Sequence, residues 1–220
     1  MNRWLSIALA LPLTLSACGA DLDATSGDAD AAATSDAATN DAATSDAASG
    51  AITAQEASDL RALREEEKLA RDVYLALSPR AATIFDNIAR SEQSHMDAVA
   101  VLLARYGVDD PALAERGRFT DPAMQGLYDA LTARGVDERA ALTVGVEVEE
   151  LDLADIARLR EHTARADVLA TYDRLATGSR NHLRSFYARL TAAGGAYTPR
   201  HLDRATFDAV VASPRETGPQ

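Results

Sequence analysis

The stretch EEEKLARDVYLAL, residues 65–77, decides how this chain is read. Its composition is that of a helix, yet three consecutive glutamates stand among residues that must face a core. The apolar residues on either side set the register. Leu60, Leu63, Ala70, Tyr74 and Leu77 follow one another at helical spacing, with a single position missing between Leu63 and Ala70. Glu67 fills that gap. A carboxylate held in apolar surroundings without a partner is strongly destabilising, so Glu67 must meet something there. Glu66 lies at the edge of the seam and is the second choice. Glu65 is expected in solvent.

Working outward, the helix opens at TAQE (53–56), where Thr53 and Glu56 have the spacing of a capping box, and it ends at Ser78-Pro79. A second helix is predicted from about Ala82 to Tyr106, closed by Gly107. Its seam is Phe85, Ile88, Val99, Leu102 and Tyr106, interrupted by Glu92 and His95. A long connection follows, with a short helix from about Pro122 to Ala133 that Gly135 stops. A third long helix spans about Asp137 to Arg160. Its seam of Leu142, Gly145, Ile156 and Leu159 is interrupted by Glu149 and Asp152, while Glu147 and Glu150 project the other way and are expected in solvent. The fourth runs from about Ala166 to Leu190, its seam of Val168, Tyr172, Leu175 and Phe186 broken by Ser179 and His182. A short terminal helix is predicted near Arg204 to Ala212.

Four apolar seams, each broken near its middle, predict an all-α four-helix bundle with a long crossover containing a short helix and a short C-terminal helix. In such a bundle the interruptions meet at one level of the core. Carboxylates and imidazoles gathered there repel one another's desolvation unless cations lie between them. Oxygen and nitrogen donors without thiolate suit two divalent ions, iron first and manganese second. A Glu-x-x-His pair such as Glu92 and His95 is common in helices and says little by itself; the coincidence of four interruptions carries the inference.

The rest of the chain narrows the classes. Net charge is −12, and residues 1–50, with seven Asp and one Arg, supply half of it. An acidic domain without clustered Lys and Arg is a poor binder of nucleic acid. The opening MNRWLSIALALPLTLSAC has Arg3 before an apolar run too short to span a membrane comfortably, as in a secretory signal. Its end, LSAC (15–18), resembles the bacterial lipobox. That resemblance implies cleavage before Cys18, lipid on its thiol, and, with Gly19 following, the outer membrane facing the periplasm. Cys18 is the single cysteine, so neither an internal disulfide nor a zinc-thiolate site can form within one chain. Residues 18–50 are almost wholly Ala, Asp, Thr and Ser, with ATSDA, ATNDA and ATSDA in succession from Ala33 to Ala47, and predict a disordered tether. The expected organisation is thus signal 1–17, tether 18–50, bundle 51–214 and disordered tail 215–220.

EKLARDVY (67–74) resembles the first metal-binding helix of rubrerythrins, and IARSEQSHMDAVAVLLARYG (88–107) and GSRNHLRSF (178–186) resemble the second and fourth helices of the ferritin-like superfamily. EEEKLARDVY, NIARSEQSHMDAV, VEVEELDLADI and GSRNHLRSF together resemble the ferritin-like domain of unknown function 2202 over residues 54–210. The resemblance implies a ferritin-like bundle with Glu67, Glu92, His95, Glu149 and His182 as metal ligands. Rubrerythrin-like proteins carry Glu three residues before the last His, where this chain has Ser179, so one bridging carboxylate is missing and Asp152 is the candidate to replace it. Tyr74 and Ser179 are candidates to support the ligands, although a buried bundle tyrosine such as Tyr74 is more often plain core. Gly145 makes room either for a small oxidant or for a neighbouring helix. Arg71 reads as a surface partner, and His162 and His201 as structural or solvated. Two function classes remain: an oxidase or peroxide-reducing protein using an outside oxidant and electron donor, or a non-catalytic envelope protein that binds or senses metal or presents its bundle to a partner. The expected partners are the membrane, through lipid at Cys18, and a second copy in a homodimer.

Overall fold

The computed structural model describes residues 50–217; the signal, Cys18 and nearly all of the tether lie outside them, as do the last three residues. The described residues are helical, without strands. The order is α1 (Ala54–Leu77), a 3-10 turn (Ser78–Arg80), α2 (Ala82–Arg105), α3 (Pro122–Arg134), α4 (Glu138–Arg160), α5 (Ala166–Ala192) and α6 (Arg204–Ala212). The long helices α1, α2, α4 and α5 form the bundle, with α1 packed chiefly on α2 and α4 chiefly on α5. None of the described helices is long and apolar enough to cross a membrane.

Local signals fix the ends. Thr53 and Glu56 form the reciprocal capping box: Glu56 N–H donates to Thr53 Oγ1 at 3.1 Å and Thr53 N–H to Glu56 Oε2 at 2.9 Å. Such a cap contributes about 1 kcal/mol. Glu56 also accepts from Thr163 Oγ1 and Arg165, which ties the start of α1 to the α4–α5 turn. These donors outweigh burial and hold its carboxyl down at about 2. Asp121, Asp137 and Asp203 cap α3, α4 and α6. Gly107 takes a φ of +64°, which is why α2 can turn sharply after Arg105.

The core has three levels. One end is a dry aliphatic layer containing Leu60, Leu63, Val99, Leu102, Ile156, Leu159 and Leu175. The other is an aromatic cluster in which Phe186 packs on Tyr74 and Phe85, with ring centroids 5.1 Å from each. Gly145 belongs to this layer. A Cβ there would come within 2.7 Å of the Phe186 ring, so the missing side chain serves the approach of α4 to α5. Between the two layers all four helices turn charged or polar side chains inward.

Two expectations of solvation do not hold. Glu65 is buried and accepts the Thr120 N–H at 2.9 Å, because the crossover folds back over that face of α1. Glu147 and Glu150 do project away from the bundle axis, but chain covers them there. Glu147 pairs with Arg134 and Arg200. Glu150 is fully buried and accepts from Tyr197 Oη and from the N–H groups of Arg200, His201 and Leu202. Helical periodicity gives a direction, and it is tertiary packing that decides whether water lies in that direction. His162 is structural, facing Asp59 at 2.8 Å, and Arg71 bridges Asp72 and Gln93. Packing continues past residue 214: Arg180 and Arg184 clamp the Glu216 carboxylate against α5.

Candidate metal centre

Glu67 is where the gap in the α1 seam puts it, at the bundle centre and 1% exposed. The interruptions of the other seams reach the same level. Glu92 and His95 come from α2, Glu149 from α4 and His182 from α5, all buried. Two groups result. In one, ligand-capable atoms of Glu67, Glu92 and His95 lie within 4.8 Å of one another; in the other, those of Glu92, Glu149 and His182 do. Glu92 belongs to both, one oxygen toward each group. His95 Nδ1 is 2.8 Å from Glu92 Oε2 and 3.2 Å from Glu67 Oε2. His182 Nδ1 is 2.8 Å from Glu92 Oε1 and 3.5 Å from Glu149 Oε2. The imidazoles stack with centroids 5.6 Å apart.

These atoms converge without bonding one another well. Glu67 Oε1, Glu92 Oε1 and His182 Nδ1 are all buried with no hydrogen-bond partner, although His182 Nδ1 and Glu92 Oε1 are close. Buried polar atoms without partners are rare in folded proteins and call for an explanation. Donor atoms aimed at a common point rather than at each other are the arrangement a cation would complete. Ligands about 2.1 Å from one ion stand about 3–4 Å apart, which these groups allow.

The surrounding shell orients the donors. Tyr74 Oη donates to Glu149 Oε1 at 2.6 Å, so Tyr74 supports the site as well as filling core. The His182 ring places Nε2 3.0 Å from Ser91 Oγ. That contact lets Nε2–H donate, which would leave Nδ1 for an ion once its proton is displaced, as is usual for metal-bound histidine. Ser179 Oγ, with a single proton to give, faces both Asp152 Oδ2 and the Leu175 carbonyl within hydrogen-bond reach. Asp152 is therefore near the site but held by Ser179, and it is in neither ligand group. Gly178 was given no role from sequence. A Cβ on it would stand 2.5 Å from His95 Nε2, so glycine is what lets the His95 ring come this close to α5.

The electrostatics without metal are those of a crowded site. Burial raises Glu67 and Glu149 to about 7, partly offset by their histidines. Burial acts on Glu92 too, but the two flanking imidazoles override it and hold that carboxyl far below its ordinary range. His182, against the opposing effect of burial, is lifted to about 10 by Glu92 and Glu149, and His95 is raised likewise by Glu67 and Glu92. Burial and the neighbouring carboxylates push Asp152 well up. Glu66, buried with Oε2 unpartnered, is raised by burial and by Asp155 and Asp152; it faces that pair and not the histidines.

The match of this chain to known proteins is extensive. Residues 56–214 match the family model described as "Uncharacterized protein domain (DUF2202)". The chain belongs to the DUF2202 family. Among its relatives is the uncharacterized protein MJ0754 of Methanocaldococcus jannaschii, 41% identical over 170 residues, covering 76% of this chain and 92% of the relative. The crystal structure titled as hypothetical protein MJ0754 superposes with a TM-score of 0.74 at 40% identity, over 76% of this chain and 97% of that one. This DUF2202 bundle is thus a fold already seen by experiment in its family, and no activity is named for that relative.

Proposed function

We propose that this DUF2202 protein is a ferritin-like di-metal carboxylate protein of the cell envelope. Glu67 and His95 would hold one ion, Glu149 and His182 the other, and Glu92 would bridge them. The observation that carries the reading is the convergence of five buried donor side chains in two groups that share Glu92, with Glu67 Oε1 left without a partner. Three carboxylates and two imidazoles suit iron or manganese. Bound ions would supply Lewis acidity and, for iron or manganese, one-electron redox chemistry toward dioxygen or peroxide.

The residues of this chain set what such a centre can do. Tyr74 holds Glu149 in one orientation through its hydroxyl. Ser91 fixes the His182 tautomer. The aliphatic and aromatic layers exclude water above and below, which strengthens every charge interaction inside. At neutral pH, binding cations would expel protons from Glu67, Glu149 and the histidines, so uptake is coupled to proton release. Delivery to the membrane by lipid on Cys18 belongs to the same proposal, supported by the LSAC sequence.

A second reading is metal binding without turnover. It is favoured by the Ser179–Asp152 hydrogen bond, which occupies the carboxylate that would otherwise complete the ligand set. Anaerobic loading with ferrous iron, followed by metal analysis and then peroxide, separates the readings. Two ions per chain and a fast charge-transfer absorbance support redox function. Two ions with no reaction support binding alone. No uptake of iron, manganese or zinc sinks both.

A further inference from the structure

A groove of about 760 Å³ runs between α2 and α5 and reaches the candidate centre from outside. α2 contributes Ile84, Ile88 and Ser91, and α5 contributes Gly178, His182 and Ser185. The two helices are antiparallel, since Ser91 meets His182 while Arg105 meets Asp167 near the opposite ends. Small side chains along this stretch, among them Ala82, Ser91, Gly178 and Ser185, leave the space between the helices unfilled. The inner end of the groove is made of the Ser91–His182 pair and of Gly178, the residue against which His95 lies. Metal-site atoms thus form its inner wall.

Its charge is unlike the rest of the molecule. The chain has 34 acidic and 22 basic residues, yet no Asp or Glu lines this groove, while Arg189 and Arg215 do. Arg189 shares its guanidinium with Glu138, and Arg215 has no ion pair among the described residues. The chain segment carrying Arg215 is not loose: its neighbour Glu216 is clamped by Arg180 and Arg184, and the Asn181 side chain bonds both the N–H and the carbonyl of Glu216. The groove also has an apolar strip, Ile84 and Ile88, beside its amides and hydroxyls.

We propose that this groove is a binding channel for a small organic anion with an apolar body, its anionic head at Arg189, with Arg215 adding positive charge along the wall, and its body along Ile84 and Ile88 toward His182. The inference rests on the di-metal reading only for what the channel leads to; of the residues lining the channel, His182 alone belongs to the proposed ligand set. Arg189 lies seven residues beyond His182 on α5, about 10 Å along the helix, comparable with an extended fatty acid of about eight carbons.

Octanoate is the probe, with neutral octanamide as its control, titrated into the full chain stripped of metal and followed by amide chemical shifts. Octanoate should give saturable shifts at Ser91, Gly178 and Ser185, and octanamide should bind about tenfold more weakly, the loss of one charge-assisted contact. The double variant R189Q/R215Q, with unchanged melting, should lose the same factor for octanoate and none for octanamide. Equal affinity for acid and amide, shifts centred away from the groove, or no saturation overturns the proposal. Because metal is absent, failure of iron uptake leaves this result standing, and failure here leaves the metal centre standing.

Discussion

Two sets of buried carboxylates stand close together in this bundle and are treated in opposite ways. Asp72 and Glu150 are each fully buried, and each is saturated by the protein. Asp72 receives Lys68, Arg71 and the Gly117 N–H; Glu150 receives one phenol and three backbone N–H groups. Glu67 and Glu92 are as deeply buried, but Glu67 Oε1 has no partner and Glu92 Oε1 faces only His182 Nδ1, outside hydrogen-bond geometry. The difference is between completed and incomplete shells. A fold that had needed only to bury a charge has shown at Asp72 and Glu150 how it completes the shell, so incomplete shells at the centre point to a ligand from outside.

The comparison breaks most visibly at Lys68. Its ammonium is fully buried between Asp72, the Glu115 carbonyl and the Phe119 ring. Lys68→Met should destabilise the fold by about 3 kcal/mol, the low end for breaking a buried pair, because Arg71 and the Gly117 N–H still reach Asp72. Chemical denaturation measures this, and the loss should be the same with and without metal. Glu92→Gln should act chiefly on metal: affinity for both ions should fall by at least about 100-fold, and the metal-free fold should also lose stability, because His95 and His182 lose the carboxylate between them. Metal analysis that finds one tight ion still bound would remove Glu92 as the shared ligand.

Chelation sharpens the same contrast. At ligand concentrations about 100-fold over Kd, a bound ion adds about 2.7 kcal/mol, so stripping metal should lower the melting temperature by several degrees. The metal-free protein should also be pH-sensitive in one direction. Glu67 and Glu149 at about 7 and His182 at about 10 all have folded values above their ordinary ones. Their stabilising protons are fully present below about pH 4.5 for the carboxyls and about 6.5 for the imidazole. They are lost as pH rises through about 7 and about 10, so melting should fall across that window, on the order of 1 kcal/mol per pH unit at its steepest. A metal-loaded sample should stay flat there; parallel curves would mean that metal does not replace those protons. Smallest is Ser91→Ala, which frees the His182 ring and should weaken binding about tenfold, read by competition with a chelator.

Much of this was legible. Glu67 is placed by its position between Leu63 and Ala70, and Glu92, His95, Glu149 and His182 by the same test on their own seams. What periodicity missed was coverage. Glu65, Glu147 and Glu150 point off the axis, and only the returning crossover and the segment from Tyr197 to Leu202 bury them. Gly178 and Ser91 were equally silent, because a glycine and a serine in a helix have many uses and their role depends on which imidazole lies across the gap. Lys68 and Asp72 formed an ordinary helical pair in sequence and a buried one in the fold.

By itself, then, the sequence determined the helices, their ends, the family and the level at which chemistry-bearing residues enter the core, because helical spacing converts residue order directly into direction. Tertiary structure decided which carboxylates are satisfied and which are left open, that Asp152 bonds Ser179, and that a cationic groove opens onto His182. Those facts depend on atoms from distant segments meeting within a few ångströms, which no spacing along one helix can specify.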